Sequence, residues 1–168
     1  MKWDDVGNQA CSVARTMAVI GDRWTMLVLR NAFMGTRRFD HFQLQLSVTR
    51  HVLADRLKRL VDAGVFRKEA YQPNRYEYRL TEMGLGLYPV LLAITGWGDT
   101  WLDEGRGAPL IFQHKGCGQT MAPKMVCSEC GEPVTARDVI PMAGPGLQAS
   151  RSVESANPPA EKRASDAP

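Results

Sequence analysis

Between Val13 and Leu80 the apolar residues keep a helical period through successive segments and then change, once, to a strand-like period. Val13, Ala14, Met17 and Ile20 recur at helical spacing and stop at Gly21. A second helix is predicted from Trp24 to Phe33, with Trp24, Leu27, Val28 and Leu29 on or near one face and Gly35 ending it. A short third helix fits Phe39 to Leu46. A fourth starts at Thr49, a good N-cap, and runs to Ala63 before Gly64, with Leu53, Leu57, Leu60 and Val61 as its buried stripe. The period then shifts. Val65–Ala70 and Tyr76–Leu80 are strand-like, and the loop Tyr71–Arg75 between them is marked by Pro73-Asn74. Thr81 is expected to cap a last long helix through Leu87, Val90, Leu91, Ile94, Trp97 and Trp101, kinked at Pro89. A chain with this order folds as a mainly α (α+β) protein whose one substantial strand pair is a hairpin.

Three parts follow from the composition along the chain. Residues 1–104 carry the helical periodicity and nearly all the aromatics, residues 105–140 carry a Cys/His cluster, and residues 141–168 are Pro, Ala, Gly and Ser with scattered charge. The last part has almost no large apolar side chain to offset the entropy of ordering and is expected to be disordered. Of the 168 residues 44% are apolar and 23% charged, and no apolar run approaches the ~18 residues of a membrane helix. The start, Met1-Lys2-Trp3-Asp4-Asp5, is polar and acidic, so a cytoplasmic protein with no membrane partner is expected.

Charge is unevenly placed. The net charge is only +3, yet Arg23 to Arg79 holds 12 Lys/Arg against 5 Asp/Glu. A concentrated basic stretch suits a polyanion. Helix, turn, helix and then a basic hairpin is the order of a winged helix-turn-helix. One helix enters the major groove with its N-terminal residues at the base edges, and the hairpin wing reaches the backbone or the adjacent minor groove. Double-stranded DNA is therefore the expected partner. Thr49, Arg50 and His51 stand in the first turn of the fourth helix as candidate base or phosphate contacts. Arg75 stands near the wing tip, and Arg37 and Arg38 precede the third helix as candidate phosphate clamps. Arg56 is a candidate DNA contact that could equally pair with an acidic neighbour and buttress the helix.

Several stretches also resemble the HxlR-type bacterial transcriptional regulators. They are Cys11-Ser12-Val13-Ala14, Gly21-Asp22-Arg23-Trp24-Thr25, Gly35-Thr36-Arg37-Arg38-Phe39, Leu53-Ala54-Asp55-Arg56-Leu57 and Glu77-Tyr78-Arg79-Leu80-Thr81-Glu82. The resemblance covers roughly residues 11–102. It implies a homodimer of winged helix-turn-helix subunits on a pseudo-palindromic operator, with residues 12–20 and 82–102 in the dimer interface. It also aligns Thr49 with the recognition-helix N-cap and Arg75 with a basic wing residue. The chain departs from the family pattern at Ser12 (commonly Pro), at His41-Phe42 (commonly an acidic residue and Leu) and at Tyr76 (commonly Val). In some members an N-terminal cysteine senses oxidants or electrophiles. Such chemistry needs a thiolate near positive charge or a helix N-terminus. Cys11 stands before a predicted helix and is the candidate sensor; the alternative is a small apolar filler at the dimer seam. A small molecule or an electrophile is the expected effector.

The Cys/His cluster reads His114-Lys115-Gly116-Cys117-Gly118 and Cys127-Ser128-Glu129-Cys130-Gly131. Each half is ligand, two residues, Cys, Gly, the knuckle of a zinc ribbon. His114, Cys117, Cys127 and Cys130 are thus expected to hold a structural Zn²⁺ ion in a small zinc-ribbon-like appendage. The nine residues between the halves are long enough for a short hairpin through Pro123. Two other function classes compete with a DNA-binding repressor. One is a thiol redox protein using Cys127 and Cys130, although a redox dithiol belongs at a helix N-terminus in an α/β setting. The other is a winged-helix adaptor that binds protein rather than DNA. No Gly-rich phosphate loop, catalytic carboxylate pair or nucleophile elbow is present, so no enzyme is expected.

Overall fold

A computed structural model of the chain describes residues 3–148. Its contacts form two units: Val19–Val134, and a smaller one from residues 3–18 with 135–148. The smaller unit holds a 3₁₀ turn, Trp3–Asn8, and most of α1, Ser12–Ile20. Thr135 and Asp138 close a turn there, with Thr135 N and Oγ1 both donating to the Asp138 carboxylate at 2.9 and 2.6 Å. The expected disordered tail falls largely on residues 149–168, outside the described residues.

The larger unit runs α2 (Thr25–Phe33), α3 (Phe39–Leu46), α4 (Arg50–Asp62), β1 (Phe66–Gln72), β2 (Arg75–Leu80), α5 (Glu82–Leu85), α6 (Tyr88–Trp101), β3 (Phe112–Gln113) and β4 (Thr120–Met121). Its core is Ile20, Val28, Leu29, Phe42, Leu46, Val48, Leu53, Leu57, Leu60, Val65 and Phe66. The expected stripe of α4 is buried at Leu53, Leu57 and Leu60, while Val61 is half-buried. Three or four residues separate these leucines, so they lie on one helix face.

Between α3 and α4 the chain turns through Ser47, which is left-handed at φ 50° and donates its N–H to Gln43 O at 3.0 Å. Val48 is buried, and Thr49 is extended at φ −65°, ψ 147°, the backbone of an N-cap. These two residues stop one helix and start the next without a glycine.

The seat of α4 is polar as well as apolar. The Asp22 carboxylate accepts from Trp24 N (2.9 Å), from Thr25 N (3.2 Å) and from Thr25 Oγ1, and so caps α2. Arg56 Nε lies 2.9 Å from Asp22 Oδ1, and Arg56 Nη1 lies 2.6 Å from Asp55 Oδ2. Burial opposes ionisation of Asp22. The Thr25 hydroxyl, the Trp24 and Thr25 amides and the Arg56 charge outweigh it and hold the carboxyl below its usual value.

β1 and β2 form an antiparallel hairpin, Phe66 opposite Leu80 through Ala70 opposite Tyr76, with an irregularity before Gln72 opposite Arg75. Asn74 makes the tip at φ 58°. Tyr78 N donates to Arg37 O at 2.8 Å and ties β2 to the segment ahead of α3, while Thr81 N donates to Val65 O at 3.1 Å and closes the base of the hairpin.

The last long helix of the sequence reading is two helices. Thr81 Oγ1 accepts from Gly84 N and caps α5, as expected, but α5 ends after four residues at Gly86. Pro89 falls in the first turn of α6, where its missing N–H is harmless, so it starts a helix rather than kinking one. Gly84 is buried where α5 meets β1: a Cβ there would stand 2.3 Å from Val65 O. No side chain fits that space without moving backbone.

Two predictions follow from these joints. Gly84→Ala should destabilise the protein by about 1–3 kcal/mol in urea denaturation, through overpacking against Val65. For Asp22, the folded pKa is depressed, so its stabilisation is complete above the unfolded value of ~3.9 and is lost as pH falls through the folded value. Asp22→Asn should therefore melt below the wild type at pH 6, and the gap should close as pH drops below about 4. A gap independent of pH would show that the charge on Asp22 contributes nothing.

Candidate nucleic-acid interface

The helix-turn-helix is α3, Ser47–Thr49 and α4, and the wing is β1–β2. Thr49, Arg50 and His51 are all exposed at the start of α4. Thr49 makes no side-chain capping bond, so its hydroxyl faces outward as a donor and acceptor. The Arg50 guanidinium lies 4.8 Å from the centre of the Phe39 ring, which holds it at the head of the helix pair.

Ion pairing sorts the basic residues between Arg23 and Arg79. Arg38, Arg56, Lys58, Arg59, Arg67 and Arg79 are each paired with a carboxylate. Among the described residues Arg23, Arg30, Arg37, Arg50, Lys68 and Arg75 form no ion pair. This distinction matters because a paired cation must release its carboxylate before it can neutralise a phosphate.

The wing is sided. On one face Glu69 and Glu77 stand opposite each other; Arg67 lies 2.5 Å from Glu69, and Arg79 lies 2.8 Å from Glu69 and 3.0 Å from Glu77. The Arg67 hydrogen bond, with the charges of Arg67, Arg79 and Arg37, keeps the Glu69 carboxyl below the usual range although desolvation opposes it. On the other face Lys68 Nζ sits 4.0 Å over the Tyr76 ring. Arg75 is exposed at the tip.

The expected DNA contacts therefore fall in different surroundings. Thr49, Arg50 and His51 come together at the head of α4. Arg37 is exposed and unpaired among the described residues. Arg38 is shared between Glu77 (3.5 Å) and the face of Tyr71 (4.5 Å). Arg56 takes the buttressing arrangement, its charge divided between Asp22 and Asp55. Lys68 was not among the sequence candidates. Its position on an alternating strand gives no hint that Glu69 and Glu77 would engage Arg67 and Arg79 instead.

Cys11 is exposed, and its carbonyl accepts from Arg15 N at 3.0 Å, which places it at the N-cap of α1. The stripe Val90, Ile94, Trp97 and Trp101 of α6 is exposed, Trp97 by 59% and Trp101 by 71%. These tryptophans therefore do not pack in the core of the single chain.

The two Cys/His halves fold alike. His114 N donates to Gln119 O and Gly118 N to His114 O; Cys127 N donates to Glu132 O and Gly131 N to Cys127 O. Gly118 and Gly131 are both left-handed, at φ 71° and 75°, where a side chain would be strained. Each half sits in its own short ribbon, β3–β4 for the first and the Val126–Pro133 bridge for the second. The single hairpin expected through Pro123 is not formed. His114 Nδ1 and Cys117 Sγ are 3.4 Å apart. The Cys130 and Glu129 amides and the Cys130 side chain hydrogen-bond the Cys127 sulfur and draw its pKa down. Among the described residues no three His, Cys, Asp or Glu side chains gather as one ligand set. The donor types suit zinc, and the structure brings the four residues together only in pairs, His114 with Cys117 and Cys127 with Cys130.

No described helix is long and apolar enough to cross a membrane. Comparison with known proteins agrees with the helix-turn-helix geometry. Residues 19–106 match the HxlR-like helix-turn-helix family model. An HTH-type transcriptional regulator of Mycobacterium tuberculosis, Rv3095, is 42% identical over 140 residues, covering 82% of this chain and 89% of that protein. The HTH-type transcriptional regulator YdeP of Bacillus subtilis is 35% identical over 99 residues, covering 57% of this chain and 77% of that protein. Among solved structures, PA1607, described as a transcription factor, has a TM-score of 0.75 at 33% identity, covering 85% of this chain and all of that one. The redox regulator HypR in its reduced form has a TM-score of 0.52 at 31% identity, covering 55% of this chain and 95% of that one. The winged helix-turn-helix, its basic face and these likenesses lead to one conclusion: the chain is a DNA-binding transcriptional regulator and belongs to the HxlR-like helix-turn-helix family.

Proposed function

We propose that the protein acts as a homodimeric repressor on a pseudo-palindromic operator. The observation that carries this reading is the set of unpaired donors at the head of α4 and on the wing. In it Thr49, Arg50 and His51 read the half-site, while Arg37, Lys68 and Arg75 hold phosphates or the minor groove. Arg38 assists from the start of α3. Arg56 is a positioning residue, fixing α4 against the cap of α2. The exposed stripe of α6 supports the dimer, since a contiguous apolar face in water marks an interface. Two recognition helices must then stand about one DNA turn apart, ~34 Å, and repression follows from occupancy of the operator. Oxidants or electrophiles would act at Cys11.

The test is anisotropy titration against the DNA upstream of the protein's own gene, with a scrambled control, at several salt concentrations. Specific binding should exceed control binding by ~10³-fold or more. Arg75→Ala should weaken binding to both DNAs and lower the log–log salt slope by about 1. An unchanged slope would remove Arg75 from the interface.

We further propose that His114, Cys117, Cys127 and Cys130 bind one structural Zn²⁺. The support is the matched backbone pattern of the two halves, each presenting two ligands ahead of a left-handed glycine. Zinc bound there would cross-link two ribbons too small to be stable alone. Elemental analysis of the purified protein should find about one zinc per chain, and Cys117→Ser with Cys130→Ser should abolish it. Turnover of a disulfide substrate by a zinc-free protein would favour the dithiol reading instead.

A further inference from the structure

Within Val19–Val134 one large feature has no part in DNA contact. A cavity of about 620 Å³ lies among α2, α3, α6 and residues 109–112. Its size is that of a small-molecule site. The walls include Phe33 and Tyr88, whose rings are 4.9 Å apart and tilted by 49°, with Leu91, Leu110 and Phe112.

The other end is polar and ordered. Thr36 Oγ1 and Asn31 Nδ2 both donate to Gln45 Oε1, at 2.8 and 2.9 Å, and Arg30 Nε donates to Asn31 Oδ1 at 2.9 Å. Asn31 is 4% exposed and Thr36 8%. This relay aims Arg30, itself half-buried, at the cavity, where it forms no ion pair among the described residues. A cation partly withdrawn from water beside apolar walls favours an anion, and the planar guanidinium suits a carboxylate.

We propose that this cavity is a binding site for a small aromatic carboxylate. Its charged end would meet Arg30 and its ring would lie among Phe33, Tyr88, Leu110 and Phe112. The family match ends at residue 106, whereas Pro109, Leu110 and Phe112 help line the cavity, so a segment beyond the matched helix-turn-helix contributes to it.

The location links binding to regulation. Tyr88, Leu91 and Thr95, spaced by three and four residues, put one face of α6 on the cavity. Val90, Ile94, Trp97 and Trp101 lie on an adjoining face, about a third of a turn round the same helix. Gln45 belongs to α3 of the helix-turn-helix. An occupant thus bears on the helix that pairs chains in our proposal and on the one that precedes the recognition helix. This regulatory consequence rests on the dimeric repressor reading; the binding itself does not.

Isothermal titration of the full chain with 2-naphthoate, and with neutral 2-naphthamide, tests the site. Naphthoate should bind saturably. Replacing it by the amide, or Arg30 by Gln, should weaken binding by about tenfold or more, the size of a charge-assisted hydrogen bond. Arg30→Lys, which keeps the charge, should lose less than Arg30→Gln, and thermal melts check that both variants fold. Naphthoate should also shift the wild-type affinity for the upstream DNA. Arg30→Gln should bind that DNA as the wild type does and ignore naphthoate. Equal binding of acid and amide, binding of neither, or full affinity in Arg30→Gln would overturn the proposal. Failure of the ligand-free wild type to bind DNA specifically would count against the operator reading alone.

Discussion

The Arg56 guanidinium reaches from α4 to Asp22, which in turn closes the first turn of α2. Both side chains are largely shielded, at 21% and 29% exposure. Leucines 53, 57 and 60 supply the burial that keeps α4 in the fold, but an apolar stripe alone tolerates rotation and sliding. An ion pair to the cap of another helix resists both, because separating the partners would leave two shielded charges unpaired. The order then passes along the chain. α4 delivers Val65 to the core, Val65 O receives Thr81 N, and Tyr78 N is bonded to Arg37 O just ahead of α3. Recognition helix and wing are thus fixed to the same frame.

Electrostatics divides the basic surface into structural and available charge. Half of the twelve cations between Arg23 and Arg79 are held by carboxylates. They shape the helices and the wing. The other six, Arg23 ahead of α2, Arg30 within it, Arg37 ahead of α3, Arg50 at the head of α4, and Lys68 and Arg75 on the wing, form no ion pair among the described residues. Arg30 alone of these faces an apolar cavity.

Much of the fold is legible in the sequence because spacing decides it. The leucines of α4 and the alternation that ends at Leu80 leave few alternatives. Boundaries set by competing local signals are less legible. The start of α2 is read correctly at Trp24, its N-cap, but the carboxylate that caps it comes from Asp22, two residues earlier. Pro89 reads as a kink only if Gly86 is discounted, and that residue ends the preceding helix. The separate ribbons of the two Cys/His halves arise because a left-handed glycine after Cys117 and after Cys130 closes each turn locally. For the proposed site, the head of α4 and Arg75 are picked out by order alone. The pairing of Arg56, the availability of Lys68 and the cavity at Arg30 depend on residues distant in sequence, and no local pattern announces them.

The apolar stripe of α6 has a consequence for dosage. In the proposed pair that face is covered, and in a lone chain it is bare, so the pair is the species that grips an operator with two half-sites. While chains are scarce, the amount of paired protein rises as the square of the total. Operator occupancy then responds steeply to how much of the protein is made, with no cooperativity inside either chain.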